Sequence, residues 1–425
     1  MANLEAAQET RPSGDTAGSA DVLIGVPAPT QGTLLHERVA DIRDEFRSTH
    51  PSIRCVVAYP GIEGTGELST LSEPAGELGS LRAVEYTLSH GAASTVPWLG
   101  LAPAYARLAD LAIQMGAGAC AILSPDLAAF DVHSITLLLE PLMDGRAELT
   151  MPLYAPSKFE GLLNSGILYP LSRALYGRRV RYPLGPDFGV TTSLLTRLGR
   201  RRARGTEVED DQAAIWPATE AALSDSIVAQ VHLDGRHGAQ NEGLDLPTVL
   251  GLLVGSIFND AERNPVVWQR VRGSQAGLTL GATVDRIDPG AKSAGALDVR
   301  SMLEAFNLGS RNLQQVWALV LPPVTLLEIK RLGRLTPEQF RIPDALWARI
   351  IYDFALAYRL RTLSRTHLLG ALTPLYLGWV ASYAQEIANL DAFAAEQRVE
   401  KLAKVYEDEK PYFVSRWRWP DRFNP

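Results

Sequence analysis

Asp21-Val-Leu-Ile-Gly-Val26 is a short apolar run closed by Pro27-Ala-Pro-Thr-Gln31, and together with the next thirty or so residues it decides the fold. Leu35, Val39, Ile42 and Phe46 recur at helical spacing, with Glu37, Arg38, Asp41, Asp44 and Glu45 on the other face. Ile53 to Tyr59 is β-branched and apolar, and it stops at Pro60-Gly61. Strand, helix and strand in this order open a parallel α/β sheet, because parallel neighbours need a crossover between them and are buried on both faces.

Further along, the pattern predicts a helix over 104–115 and a strand over 118–123 stopped by Ser124-Pro125-Asp126. A helix over 133–143, a strand over 149–154 and a leucine-rich helix over 162–176 come next. The rhythm breaks over 197–211, a basic run and then an acidic one, read as an exposed loop. A strand over 228–233 and a helix over 246–258 complete the α/β part. From about Pro322 strand signals vanish, and apolar periodicity runs through 346–360, 366–387 and 390–405. Residues 1–20 are therefore read as a disordered tail, 21–265 as the α/β domain and 266–425 as a mainly helical extension.

The 425 residues are 46% hydrophobic, enough for a sizeable core, and carry a net charge of −7. That balance gives no electrostatic footprint for nucleic acid. The apolar stretch 368–383 is too short to span a bilayer and holds Pro374 and Gly378, so buried helices and no stable membrane insertion are expected. No secretory signal is visible, and Cys55 and Cys120 sit in apolar runs. They read as buried free thiols, which points to a soluble protein of the reducing cytoplasm.

Ligands of open α/β sheets bind beyond the carboxyl ends of the strands. The ends legible here are Pro27 to Gln31, Pro60-Gly61 and Ser124 to Asp126. A nucleoside diphosphate brings a hard divalent cation that needs one or two carboxylates, and Asp126 is the best placed; the competing reading is a turn or capping residue. His237, in Asp234-Gly-Arg-His-Gly238, either completes such a site or faces solvent in its loop, and His232 reads as a packing or surface residue. Arg173, Arg178, Arg179 and Arg181 gather in Tyr169 to Arg181. Their guanidinium forks suit phosphate or carboxylate, or else form a solvated helix end. Gly185-Pro-Asp-Phe-Gly189 reads as a tight turn able to bring Asp187 to a sugar.

In their order, the strand ending in Pro-Ala, the carboxylate near 126, Tyr169-Pro-Leu-Ser-Arg-Ala-Leu-Tyr-Gly177, Gly185 to Gly189 and a late His resemble one group. Over about 20–260 the chain resembles the retaining GT-A glycosyltransferases of the glucosyl-3-phosphoglycerate synthase and mannosylglycerate synthase type. The resemblance implies a GT-A domain, a Rossmann-like mixed and mostly parallel sheet flanked by helices, followed here by the helical extension. It implies Mg2+- or Mn2+-dependent transfer of glucose or mannose from a UDP- or GDP-sugar to a small polar acceptor, with retention. Pro27, Ala28, Gln31 and Gly61 would line the donor pocket, Asp126 would close an Asp-X-Asp motif on the metal, and His237 would be the second protein ligand. Gly185 to Asp187 would hold the donor sugar and Asn164 would lie near the acceptor, whose hydroxyl Asp187 or Glu220 would orient.

The chain departs from that pattern in four places. Ser124 stands at the first Asp of Asp-X-Asp, and Gly100-Leu101-Ala102 replaces a Gly-Lys-Gly. Ala214 to Trp216 replaces an acidic motif, leaving Glu220 or Asp211 to substitute. Leu162 stands where an Arg would grip the acceptor phosphate, which points away from 3-phosphoglycerate and toward glycerate, a glycosylglycerate or another small hydroxy acid. Transfer to a lipid-linked acceptor at a membrane surface and a catalytically degenerate nucleotide-sugar-binding protein are the alternatives. The amphipathic helices of the extension suit a homodimer interface or an intramolecular cap.

Overall fold

The computed structural model describes residues 19–28, 32–61, 81–86, 100–124, 131–154, 158–185, 187–200, 214–233, 245–281 and 297–420. Of the residues singled out above, Gln31, Asp126, Asp211 and His237 lie outside the described residues, as do most of the tail and most of the 197–211 loop.

Val22–Gly25 (β1) is fully buried and leads to α1 (Gly32–Thr49), whose Val39, Ile42 and Phe46 face the core. β2 (Cys55–Pro60) returns parallel to β1, and β3 (Leu81–Tyr86) adds parallel to β2 at the sheet's edge. α2 (Ala102–Met115) is stopped by Gly116 at φ 74°, a left-handed conformation that favours glycine, and β4 (Ala119–Ile122) then pairs with the free side of β1. α3 (His133–Met143) and β5 (Leu149–Leu153) come next.

A single π-helical turn, Asn164–Leu168, runs into α4 (Tyr169–Tyr176) and a two-residue strand, β6 (Arg178–Arg179). β7 (Phe188–Thr191) lies antiparallel between β4 and β5. After it come α5 (Thr192–Arg200), α6 (Pro217–Leu223) and β8 (Val228–His232), which is parallel to β5. α7 (Leu246–Arg263), α8 (Pro265–Trp268), β9 (Gln275–Ala276) and β10 (Leu278–Leu280) complete this half; β9 pairs with β6, and β10 with β8. The main sheet thus has the order β10-β8-β5-β7-β4-β1-β2-β3, parallel except for β7.

Helices cover both faces, as a parallel sheet requires. α1 and α3 bury their apolar stripes on one face and α2, α5 and α6 on the other. Gly189 lets α3 close on the sheet: a methyl group there would overlap the Thr150 hydroxyl and approach the Leu138 carbonyl to 2.5 Å. The turn expected to run to Gly189 ends two residues earlier, because Phe188 and Gly189 already belong to the reversed strand.

The remaining chain is helical: α9 (Val299–Asn312), α10 (Gln314–Ala318), α11 (Pro323–Leu332), α12 (Asp344–Leu360), α13 (Arg365–Ile387) and α14 (Ala392–Arg418). Their core also takes in the π-helical turn, α4, Trp216, α7 and Trp268, so the boundary expected at 265/266 falls inside α8, within one shared hydrophobic cluster. The π turn fits this packing. Its Gly166 carbonyl accepts from Trp347 Nε1 at 2.9 Å and Tyr406 Oη at 3.0 Å, and a methyl at Gly166 would lie inside the Trp379 ring. Trp417 is a core residue packed on Trp268 and Phe413, whereas Trp419 is exposed. Among the described residues no helix is long and apolar enough to cross a membrane.

Candidate functional site

Strand direction decides which loops meet. The carboxyl ends of β1, β2, β4, β5 and β8 share one edge, and because β7 is reversed its amino end, Asp187-Phe188, arrives there too. Beyond β1 the chain leaves toward β2 on one side, while β4 lies on the other. A crevice opens at such a switch point in an open sheet. Here the residues that follow the two strands are Pro27 and Ala28 after β1 and Leu123 and Ser124 after β4.

These strand ends are held by hydrogen bonds that leave little freedom. Val26 N–H donates to Ala58 O and Leu123 N–H to Gly25 O, both at 2.9 Å. Tyr86 Oη donates to Val26 O at 2.7 Å, and burial pushes this phenol far above its ordinary pKa. Gly61 donates its N–H to Tyr86 O at 2.9 Å and lies so tightly on Glu85 that a methyl group would overlap the carboxylate. Gly185 similarly packs its backbone on β5, where a methyl would approach Met151 and Pro152 to 3.0 Å.

Asp187 is fully buried. Its Oδ1 accepts from Ser124 N–H at 2.7 Å and its Oδ2 from Tyr154 Oη at 3.3 Å. Burial raises the Tyr154 phenol well above its usual pKa, and the nearby Asp187 charge raises it further, so Tyr154 stays a donor. The Tyr154 ring stands edge-on to Tyr182 at 5.2 Å. Asp187, expected to orient an acceptor, holds the backbone at Ser124, the last described residue after β4. Asp187→Ala removes an acceptor from both Ser124 N–H and Tyr154 Oη, and a loss of about 1–3 kcal/mol is expected in urea unfolding. Asp187→Asn, which keeps an acceptor for Ser124 N–H, should recover most of it; equal losses in both variants would contradict the assignment.

Glu220, the other residue expected to orient the acceptor, sits on α6, a half-buried position on the helix that runs into the amino end of β8. Asn164 donates to Arg181 O at 2.9 Å, which ties the π turn to the segment after β6. His232 ends β8 opposite Leu153, and burial lowers its pKa. Among the described residues no group of three His, Cys, Asp or Glu side chains is placed to hold a metal ion. Cys55 and Cys120 are buried free thiols, both pushed up by burial, Cys120 to about 12.

Two of the four arginines are buried in ion pairs and do not form a solvated helix end. Arg173, buried, donates through Nη1 to Glu400 and through Nε to Glu407, each at 2.6 Å. Arg181, also buried, forks onto both oxygens of Glu396 at 2.7 and 3.2 Å. Arg178 pairs with Asp225 at 2.6 Å, and Arg179 donates to Ser274 at 2.9 Å. Glu396, Glu400 and Glu407 form one stripe of α14, so the forks bind the helical layer to the sheet's flank. These glutamates lie more than two hundred residues from Arg173 and Arg181 in the chain, and no local pattern signals them.

Lys410 extends this seam. Its buried ammonium donates to Leu175 O at 3.2 Å and Val271 O at 3.0 Å. Burial, helped by Arg272 and opposed by Glu407, lowers its pKa from 10.5 to about 7. The folded value is depressed, so this contribution is present above the unfolded pKa and is lost as pH falls toward 7. Stability should rise between pH 7 and 9 by on the order of 2 kcal/mol. Lys410→Met should flatten that rise in unfolding measured across the range; a variant as steep as the wild type would refute it.

Neither a family model nor a characterised protein sequence matches this chain.

Proposed function

We propose that the chain is a metal-dependent hexosyltransferase with a GT-A-type domain, transferring glucose or mannose from a UDP- or GDP-sugar to a small polar acceptor with retention. The observation that carries this reading is the topological switch point between β1 and β4, where the strand ends are Pro27, Ala28 and the Asp187-anchored Ser124. The mixed sheet with its single reversed strand is also in keeping with the resemblance.

The carboxylate missing at Ser124 has a neighbour in Asp187, which holds the Ser124 backbone in place without reaching solvent. Asp126 stands two positions beyond Ser124, and His237 four beyond Leu233 at the end of β8. Both expected metal ligands therefore issue from strand ends on one edge. They would hold Mg2+ or Mn2+, which when bound would offset the charge developing on the leaving diphosphate. Pro27, Ala28 and Gln31 would contact the base and ribose, Gly61 would close the far side of the pocket, and Gly185 would give the donor sugar a close backbone approach. Rigid strand ends matter because such groups must be in place before the transition state forms.

Incubation with UDP-glucose, GDP-glucose and GDP-mannose tests the reading. Release of UDP or GDP from one donor with Mn2+, accelerated by glycerate or a glycosylglycerate and abolished by EDTA, is expected. No nucleotide release from any of the three would contradict it.

A further inference from the structure

We propose that the outward face of α9–α11 is a docking surface for an anionic lipid bilayer. Four large apolar side chains within twenty residues face solvent: Leu308 at 57% exposure, Leu319 at 54%, Val324 at 70% and Leu327 at 65%. Lone exposed leucines need no explanation, but exposed apolar side chains along three consecutive helices, two of them adjacent on α11, mark an interaction surface. Val324 and Leu327 are one turn apart on α11, opposite its buried Thr325, Ile329 and Leu332.

Charge selects the occupant. Between Leu308 and Arg334 four cations, Arg311, Lys330, Arg331 and Arg334, stand against one carboxylate, Glu328, a local net charge of +3 in a chain of −7. All four cations are exposed. The end of α11 meets α9 where Gly333 lies beside Asn307 and Ser310, which sets Arg331 and Arg334 next to the Leu308–Arg311 stretch. Apolar side chains flanked by cations on one exposed face match the boundary between acyl chains and anionic headgroups. The protein's overall negative charge does not prevent this, because exposed charges beyond about 8 Å are largely screened at physiological ionic strength. The surface would lie on the bilayer and not cross it, in keeping with the lengths and polarity of the described helices. The inference is independent of the chemistry at the carboxyl-end crevice.

Co-sedimentation of the full chain with vesicles tests it, comparing phosphatidylcholine alone with a phosphatidylglycerol-rich mixture. Binding to the anionic vesicles, little to the neutral ones, and release by salt are expected. Val324→Asp with Leu327→Asp, and separately Lys330→Glu with Arg334→Glu, should each weaken binding by about tenfold or more. These positions are exposed, and unchanged melting curves would show that both variants fold. Equal binding to the two vesicle types, or variants that bind like the wild type, would overturn the proposal. So would a wild-type dimer in sedimentation velocity that the Val324→Asp, Leu327→Asp variant converts to a monomer, since that assigns the face to a second copy.

Discussion

Arg173→Met is expected to lower the free energy of unfolding by about 3–5 kcal/mol, because it leaves buried charge without a partner. Glu407 is almost fully covered and Glu400 partly so, and both point at the guanidinium from α14. Methionine fills much of the same volume, so the loss is electrostatic and not a cavity effect. The measurement is urea unfolding of the wild type, Arg173→Met and the triple variant Arg173→Met, Glu400→Gln, Glu407→Gln. The triple variant should regain much of the loss, since removing all the charges removes the desolvation cost with them. A single variant as stable as the wild type would mean that the helical layer does not depend on this seam.

The second large effect concerns catalysis. Asp126→Ala should reduce metal-dependent nucleotide release by on the order of a thousandfold, the size expected when a principal electrostatic element of a transition state is removed. The same variant should unfold like the wild type, because Asp126 follows β4 in sequence and is not among the described core positions. Asp126→Asn should lose nearly as much activity, since the site needs the charge. Wild-type turnover in Asp126→Ala would remove the metal assignment from this residue.

Much of the α/β half is legible in the sequence because its strands are short buried runs with clear stops. β1, β2, β4, β5 and β8 fall within a residue or two of the expected spans, and the stripe Val39, Ile42, Phe46 is the buried face of α1. β3 is not legible, because it is an edge strand that tolerates Arg82 and Glu85. β7 is only four residues long and comes directly after Gly185-Pro-Asp187, so turn chemistry masks it, and with it the reversal that brings Asp187 to the carboxyl-end edge. At this edge, strand ends alone point to Pro27, Ala28, Gly61 and Ser124. They do not point to Tyr154, since nothing in a strand pattern says that its terminal tyrosine donates to a carboxylate 33 residues on. The arginines are visible as a cluster but their partners are not, because ion pairs between Arg173 or Arg181 and α14 are tertiary facts with no local trace.

The most direct test of a nucleotide-sugar site at this crevice is thermal stability against UDP-glucose, GDP-glucose and GDP-mannose, each with and without Mn2+. A ligand bound only by the folded chain adds about 2.7 kcal/mol at a hundredfold excess over its dissociation constant. A clear rise in melting temperature with one nucleotide class, present with Mn2+ and lost in Asp126→Ala, is expected. No rise with any donor in the presence of Mn2+ would contradict such a site.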